Sequence, residues 1–420
     1  LQITLTDGTG TNGTILFNAG TGKTIHADAD KILTGKNQVV SGTLDLTGGT
    51  LTRTLDKGGT AGDIEISGMV QIGDSTTAGN ITNLNTTVDS TGTLTLEKGT
   101  ITGGTLTNSG KTNINGGTAG GIIDNKNELN IDSGVINSTD FTNSKILNIN
   151  GGTVGKIKNE SGTSITNVGS VAALTDTINN VEGTVNFLST GYLDREVIIT
   201  GGKINVGSAS KRDVMLISNA NNLSGDVTVY NGNTLLLNGG AIQKDIKNSG
   251  TVNVSNSDVV IGNSKIYGGS VQLASSVKFR NTNLVSTGNL TADRAIYDFH
   301  LTVGTYPEVD KIGITGKATG ELKLGAVSVS GTTAEWEVET AKTAKYIEGG
   351  TGNTIKIVQS VSVTSDGYKY VIDQGHETPG DKTTEIKYGY MDITKGYGYV
   401  LADIVKNLKD ESMTPAYETG

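Results

Sequence analysis

Leu94-Thr-Leu-Glu-Lys-Gly-Thr-Ile101 is followed by Thr112-Asn-Ile-Asn-Gly-Gly-Thr-Ala119, Leu129-Asn-Ile-Asp-Ser-Gly-Val-Ile136 and Leu147-Asn-Ile-Asn-Gly-Gly-Thr-Val154. The third position of each stretch, Leu96, Ile114, Ile131 and Ile149, advances by 18, 17 and 18 residues, and a glycine stands three residues later each time: Gly99, Gly117, Gly134 and Gly152. A further station of the form apolar-x-Asn completes the repeat as Leu106-Thr-Asn108, Ile123-Asp-Asn125, Phe141-Thr-Asn143 and Ile157-Lys-Asn159, its asparagines 17, 18 and 16 residues apart.

Each station is two to four residues long and alternates apolar with polar, which is strand periodicity and not helical periodicity. Short strands punctuated by Gly and Asn imply a coil with three faces, because those residues tolerate a left-handed backbone at corners. One such coil cannot bury its apolar face alone, so successive coils must stack. Stacking puts Leu96, Ile114, Ile131 and Ile149 in one internal column and Asn108, Asn125, Asn143 and Asn159 in another, where amides can bond from coil to coil. The fold expected is all-β, a parallel β-helix capped by a β-rich C-terminal segment.

The same grammar recurs in Leu44-Asp-Leu46-Thr-Gly-Gly49 and in Leu235-Leu-Leu237-Asn-Gly-Gly240, the latter followed by Ile246-Lys-Asn248 and Val252-Asn-Val254. It weakens over residues 165–230, where looser turns are expected. Coils running from about residue 10 to about residue 285 would number roughly sixteen, stacked over about 75 Å at ~4.8 Å per coil. The strict six-residue rhythm of left-handed β-helices is absent, and steps that wander between 16 and 18 residues favour the right-handed form.

Sixty Gly against three Pro in 420 residues, with no glycine at every third position, excludes collagen and simple low-complexity disorder. There is no Cys, hence no disulfide or thiolate metal site, which suits export through an oxidising compartment. A net charge of −9 argues against nucleic acid or an anionic membrane as partner. No run approaches the ~18 apolar residues of a membrane helix, and residues 1–10 lack the basic-then-apolar pattern of a signal peptide, so any such peptide is expected to have been removed.

Composition changes near residue 295. Ten of the 13 Tyr lie at or after Tyr297, with Trp336 and all three Pro (Pro307, Pro379, Pro415). Strands there read longer, as in Asp310–Gly331, Thr354–Val358 and Tyr368–Ile372. We therefore expect a β-helix over residues 1–290 and, over 291–420, a C-terminal β cap whose aromatics hide the last coil.

Gly225-Asp-Val-Thr-Val-Tyr-Asn-Gly-Asn-Thr-Leu-Leu-Leu-Asn-Gly-Gly240, Gly13-Thr-Ile-Leu-Phe-Asn-Ala-Gly-Thr-Gly-Lys-Thr-Ile25 and the Asp310–Gly331 stretch together resemble the passenger domain of a monomeric (type V) bacterial autotransporter. The last stretch is similar to the autochaperone segment of such passengers, and the resemblance spans nearly the whole chain. It implies a right-handed β-helix at the surface of a Gram-negative cell, secreted or attached to a C-terminal outer-membrane β-barrel, acting as an adhesin or self-association (aggregation or biofilm) factor in virulence. Its partners would be a host-cell surface or glycan, or another copy on a neighbouring cell. Direct membrane insertion of this segment is not expected. Tyr388–Tyr399 and Leu401–Asp410 fit the resemblance less well, as a link toward a barrel or an unrelated cap.

Catalytic alternatives rest on few residues. Parallel β-helices also host polysaccharide lyases and hydrolases, which gather carboxylates and basic groups from neighbouring coils. The candidates are Asp28 and Asp30 beside His26, and Asp124 with Glu128 and Asp132, although the column partners of Asp132 are Asn115 and Asn150, which suits a solvated turn. His300 and His376 have no nucleophile motif nearby. Gly116–Gly121 imitates a phosphate loop without the required Gly-Lys-Ser/Thr, and Gly22-Lys23-Thr24 has Phe17 where the upstream glycine should stand. Calcium-binding Gly-Gly-x-Gly-x-Asp repeats are absent. We expect no enzyme and no catalytic, cofactor-binding or metal-binding residue. The glycan-active enzyme is one alternative, supported if acidic and basic side chains from separate coils converge in a groove. A stalk or phage fibre segment is the other.

Overall fold

The computed structural model describes residues 2–5, 14–18, 24–26, 32–34, 37–40, 42–52, 62–169, 172–188, 192–195, 198–207, 214–217, 223–254, 259–304, 306–331, 342–374, 385–392 and 397–399. Among them the chain is all-β, a parallel β-solenoid of about 11 turns without an α-helix. It divides into two compact units, residues 1–215 with 222–227 and residues 216–221 with 228–420.

In the first unit the strands Thr43–Asp45, Met69–Ile72, Thr93–Leu96, Lys111–Ile114, Glu128–Ile131, Ile146–Ile149, Ile165–Val168, Thr184–Phe187 and Lys203–Val206 pair in parallel, each in register with the next. Leu96, Ile114, Ile131 and Ile149 form the expected column, which continues through Val168, Phe187 and Val206, and all seven are fully buried. Burying such a side chain contributes ~1.5–3 kcal/mol, so the column is one source of cohesion between coils. Register persists through 165–206 because only the turns lengthen: Ile157–Asn159 and Ile165–Val168 are separated by five residues, whereas Thr105–Asn108 and Lys111–Ile114 are separated by two.

The second and third stations share one parallel sheet, and in two consecutive coils they fuse into continuous strands, Thr118–Asn125 and Val135–Asn143. The pair slips register between Gly121 and Ile122, where Gly121 has φ +83°. Gly99, Gly117 and Gly152 occupy corners with positive φ, as expected. Gly134 does not; a Cβ there would stand 2.5 Å from Ile114 Cγ2, so glycine serves close packing at that corner. The column asparagines have no positive φ either. Their role lies in the side chain.

Sixteen coils is an overestimate. Successive strands start 26 residues apart from Thr43 to Met69 and 24 apart from Met69 to Thr93, then 17 to 19 apart. The wider spacing early in the chain uses up residues that a uniform repeat would spend on extra coils.

In the second unit Thr234–Leu237, Thr251–Val254, Ser270–Leu273, Asn289–Val303, Ala318–Gly331 and Lys356–Ile357 stack in parallel. The 15-residue strand Asn289–Val303 also pairs with the short strand Lys278–Arg280. Phe279, Tyr297 and Phe299 stack with ring centroids 5.2 Å apart, and Tyr346 tilts onto Tyr297. Further along, Lys342–Lys345, Val361–Ser365, Tyr368–Gln374, Glu385–Asp392 and Tyr397–Tyr399 form an antiparallel sheet. Tyr297, Tyr346, Tyr370 and Tyr388 are buried among these strands, in keeping with a tyrosine-rich C-terminal segment. Trp336, Pro379, Pro415 and Leu401–Asp410 lie outside the described residues.

Candidate functional site

Two rows of asparagine organise the first unit. In the inner row the Asn108 Nδ2 donates to Asn125 Oδ1 (2.8 Å), Asn125 to Asn143 (2.8 Å), Asn143 to Asn159 (2.9 Å) and Asn159 to Asn180 (3.0 Å). The first three amides also donate to the carbonyls of Glu128, Ile146 and Ile165, which sets the direction of the row. All five side chains are fully buried. The row begins at Asn108 because Val88 precedes it in register, and Asn108 Oδ1 accepts no hydrogen bond among the described residues.

The outer row lies on a different sheet, on the face turned from the core, where Asn130 donates to Asn113 (3.0 Å), Asn148 to Asn130 (2.7 Å), Asn167 to Asn148 (2.7 Å), Asn186 to Asn167 (2.9 Å) and Asn205 to Asn186 (2.7 Å). These amides donate toward the N-terminal coils and the inner ones toward the C-terminal coils, so the two rows of dipoles oppose one another. An amide carries two N–H donors and two acceptor lone pairs. The outer row consumes one of each per coil and, being half-buried, leaves the remainder toward solvent, save at Asn130, whose amide also reaches Glu128 Oε1 (2.9 Å).

The acidic candidates of this unit do not converge. Asp124 pairs with Lys126 (3.0 Å), Glu128 with Lys111 (3.1 Å), and Asp132 Oδ1 accepts from Asn150 (2.8 Å), its expected column partner, while Asn115 donates to Glu97 (2.7 Å). Each carboxylate is satisfied by its own neighbour. Asn130 and then Lys111 hold the Glu128 carboxyl below its ordinary range. The Glu65 carboxyl is instead raised, chiefly by its hydrogen bond with Asp89 and then by the charge there. Gly116–Gly121 is strand and corner backbone and forms no phosphate loop. Thr24–His26 is a strand, but Gly22, Lys23, Asp28, Asp30 and His376 lie outside the described residues.

The second unit contains a cleft of about 520 Å³ whose polar lining includes Lys278, Arg280, Asp298, His300, Asp310 and Ser328. Its wall is built by register. Arg280 pairs across from Asp298, and His300 across from Ser328, on three adjacent parallel strands. Between Tyr297 and Phe299 the register slips, so that Asp298 faces the Gly325–Ala326 step, and its Oδ1 accepts the Ala326 N–H (2.5 Å). A Cβ on Gly325 would stand 2.0 Å from that oxygen, which explains the glycine. Bulges of this kind re-aim side chains beside functional sites. Asp310 Oδ2 accepts the His300 N–H (3.3 Å), and the Asp310 carbonyl takes the hydroxyl of Tyr297, whose phenol is pushed well above its ordinary pKa by burial and then by the Asp310 charge.

The imidazole of His300 is clamped between two hydroxyls, Nδ1 to Ser328 Oγ (2.7 Å) and Nε2 to Ser330 Oγ (2.6 Å). A hydrolytic triad needs a carboxylate on the far ring nitrogen; a serine occupies that place. The ring is therefore a fixed polar wall. Nothing in the sequence around His300 signals Ser328 or Arg280; the register of strands 28 and 18 residues apart brings them together. Among the described residues no three His, Asp or Glu side chains gather to hold a metal ion.

No protein-family model matches the chain, and no curated protein matches it.

Proposed function

We propose that this protein is the surface-exposed passenger of a Gram-negative autotransporter, acting as an adhesin or self-association factor, secreted or held at the cell surface by an outer-membrane barrel. The observation that carries the proposal is the outer asparagine row Asn113–Asn205 on a half-exposed face, whose amides, save that of Asn130, keep a donor and an acceptor without a partner among the described residues. Such a row is self-complementary, because a second copy presents the same groups at the same ~4.8 Å repeat. The resemblance of Gly225–Gly240 and Asp310–Gly331 to autotransporter passengers points the same way.

A settling assay with the full-length protein displayed on otherwise non-clumping cells tests this. Clumping, or attachment to host cells, is expected, and Asn148→Lys with Asn167→Lys should abolish clumping by setting like charges on adjacent coils. Cells that neither clump nor attach while displaying folded protein would refute the proposal.

A further inference from the structure

We infer that the cleft between Lys278–Arg280 and the strands Asn289–Val303 and Ala318–Gly331 is a binding site for a neutral, polyhydroxylated ligand, a short oligosaccharide. The inference stands on the second unit alone and does not depend on the asparagine rows of the first.

Its basis is how the charges in the cleft are left. Elsewhere several acids are met by a nearby base, as in Asp124 with Lys126, Glu128 with Lys111 and Glu160 with Lys158, or by an amide, as in Asp132 with Asn150 and Glu97 with Asn115. In the cleft two carboxylates and two cations line one concavity without a single ion pair between them among the described residues. Asp298 and Asp310 each anchor one oxygen on a backbone N–H, of Ala326 and His300, which holds the carboxylate in place and leaves its second oxygen without a hydrogen bond among the described residues. Arg280 is likewise anchored by one nitrogen, Nη2, on the Gly262 carbonyl (3.0 Å) and on Asn263 Oδ1, leaving its other guanidinium donors without a partner among the described residues. Lys278 is exposed and its ammonium has no hydrogen-bond or ion-pair partner among the described residues.

Two anchored carboxylates, an anchored guanidinium and an exposed ammonium therefore line a cavity whose volume lies within the ~300–1,000 Å³ of small-ligand sites. Sugar hydroxyls donate and accept at once, so they satisfy both kinds of group, and charged planar side chains anchored from behind lose little entropy in binding them. The formal charges of the lining cancel, two positive against two negative. A phosphate or uronate would meet Lys278 and Arg280 but also the uncompensated oxygens of Asp298 and Asp310, so neutral sugars are selected. A nucleobase would need an exposed aromatic face, and Phe279 and Phe299 are buried in their own stack.

The test is a glycan array carrying neutral and acidic oligosaccharides, probed with the intact chain, followed by calorimetric titration of the best neutral binder. We expect binding of a neutral oligosaccharide, weakened at least tenfold by Lys278→Ala and by Asp310→Asn, the second of which keeps an oxygen for the His300 N–H. Unchanged melting temperatures identify both variants as folded, and Glu128→Gln in the first unit should bind like the parent. Absence of any bound glycan, binding confined to acidic glycans, or binding insensitive to both substitutions would overturn the assignment. Shortening of the bound oligosaccharide during incubation would overturn it as a binding site and make the cleft an active site. Cell clumping should be unaffected by either cleft variant, so failure here leaves the outer-row proposal separately testable.

Discussion

At the scale of single residues, the inner asparagines are held by bonds of unequal value. Asn143 accepts from Asn125 and donates to Asn159 and to the Ile165 carbonyl, so Asn143→Ala breaks the row in its middle. Leaving buried polar groups unmet costs ~1–3 kcal/mol, and a loss of about 3 kcal/mol is expected in urea unfolding of the whole chain. Asn108→Ala removes two donated bonds as well, but it also removes an oxygen that has no donor, so its cost should be nearer ~1 kcal/mol. Equal losses would mean that Asn108 Oδ1 is hydrated and the row has no weak end. The inner row was legible in the sequence because its asparagines follow apolar residues at regular spacing. The outer row was equally present in the letters, at Asn113, Asn130, Asn148, Asn167, Asn186 and Asn205, but half of it falls past residue 165, where the turns grow and the glycines drift out of phase. Pattern-matching on corners loses a register that the strands keep.

At the scale of elements, the corners decide how coils stack. Gly99 combines φ +115° with a Cβ position 1.9 Å from the Gly79 carbonyl oxygen, and Gly117 stacks on Gly99 in the same way, 2.5 Å from its carbonyl oxygen. Gly99→Ala must shift backbone in two coils, so we expect it to cost about 3 kcal/mol or more, through strain added to overpacking. Gly155 lies only three residues past the corner at Gly152, yet a Cβ there meets nothing within 4 Å and its φ is not positive. Gly155→Ala should stabilise by about 0.5 kcal/mol through the unfolded chain. Thermal melts of the two variants check this, and similar effects of the two substitutions would refute the corner argument. Strand identity and parallel stacking were readable from alternation and spacing. The fusion of Thr118–Asn125 and Val135–Asn143 was not, because continuity across Gly121 depends on a register slip with the neighbouring coil. The cleft was hidden for the same reason: a bulge at Asp298 has no sequence signature, and its polar residues are scattered over residues 278–328.

At the scale of the whole molecule, amide rows belong to the first unit, and the charged cleft and the aromatic stack to the second. In a solenoid each coil is stabilised mainly by its neighbours, so damage in one layer should spread by diminishing steps. Tyr297 is the layer to damage: it is fully buried, lies between Phe279 and Phe299, and donates its hydroxyl to the Asp310 carbonyl. Tyr297→Ala should cost ~3–5 kcal/mol locally. Hydrogen exchange would then quicken most in Ser270–Leu273, which pairs directly with the strand carrying Tyr297, less in Thr251–Val254 and least in Thr234–Leu237. Tyr297→Phe retains the stack and loses one hydrogen bond, so its gradient should have the same shape at about a third of the amplitude, following the ~1 kcal/mol value of such a bond. A uniform rise across all three strands would mean that the second unit opens as one body, and that the aromatic layer stabilises it globally and not coil by coil.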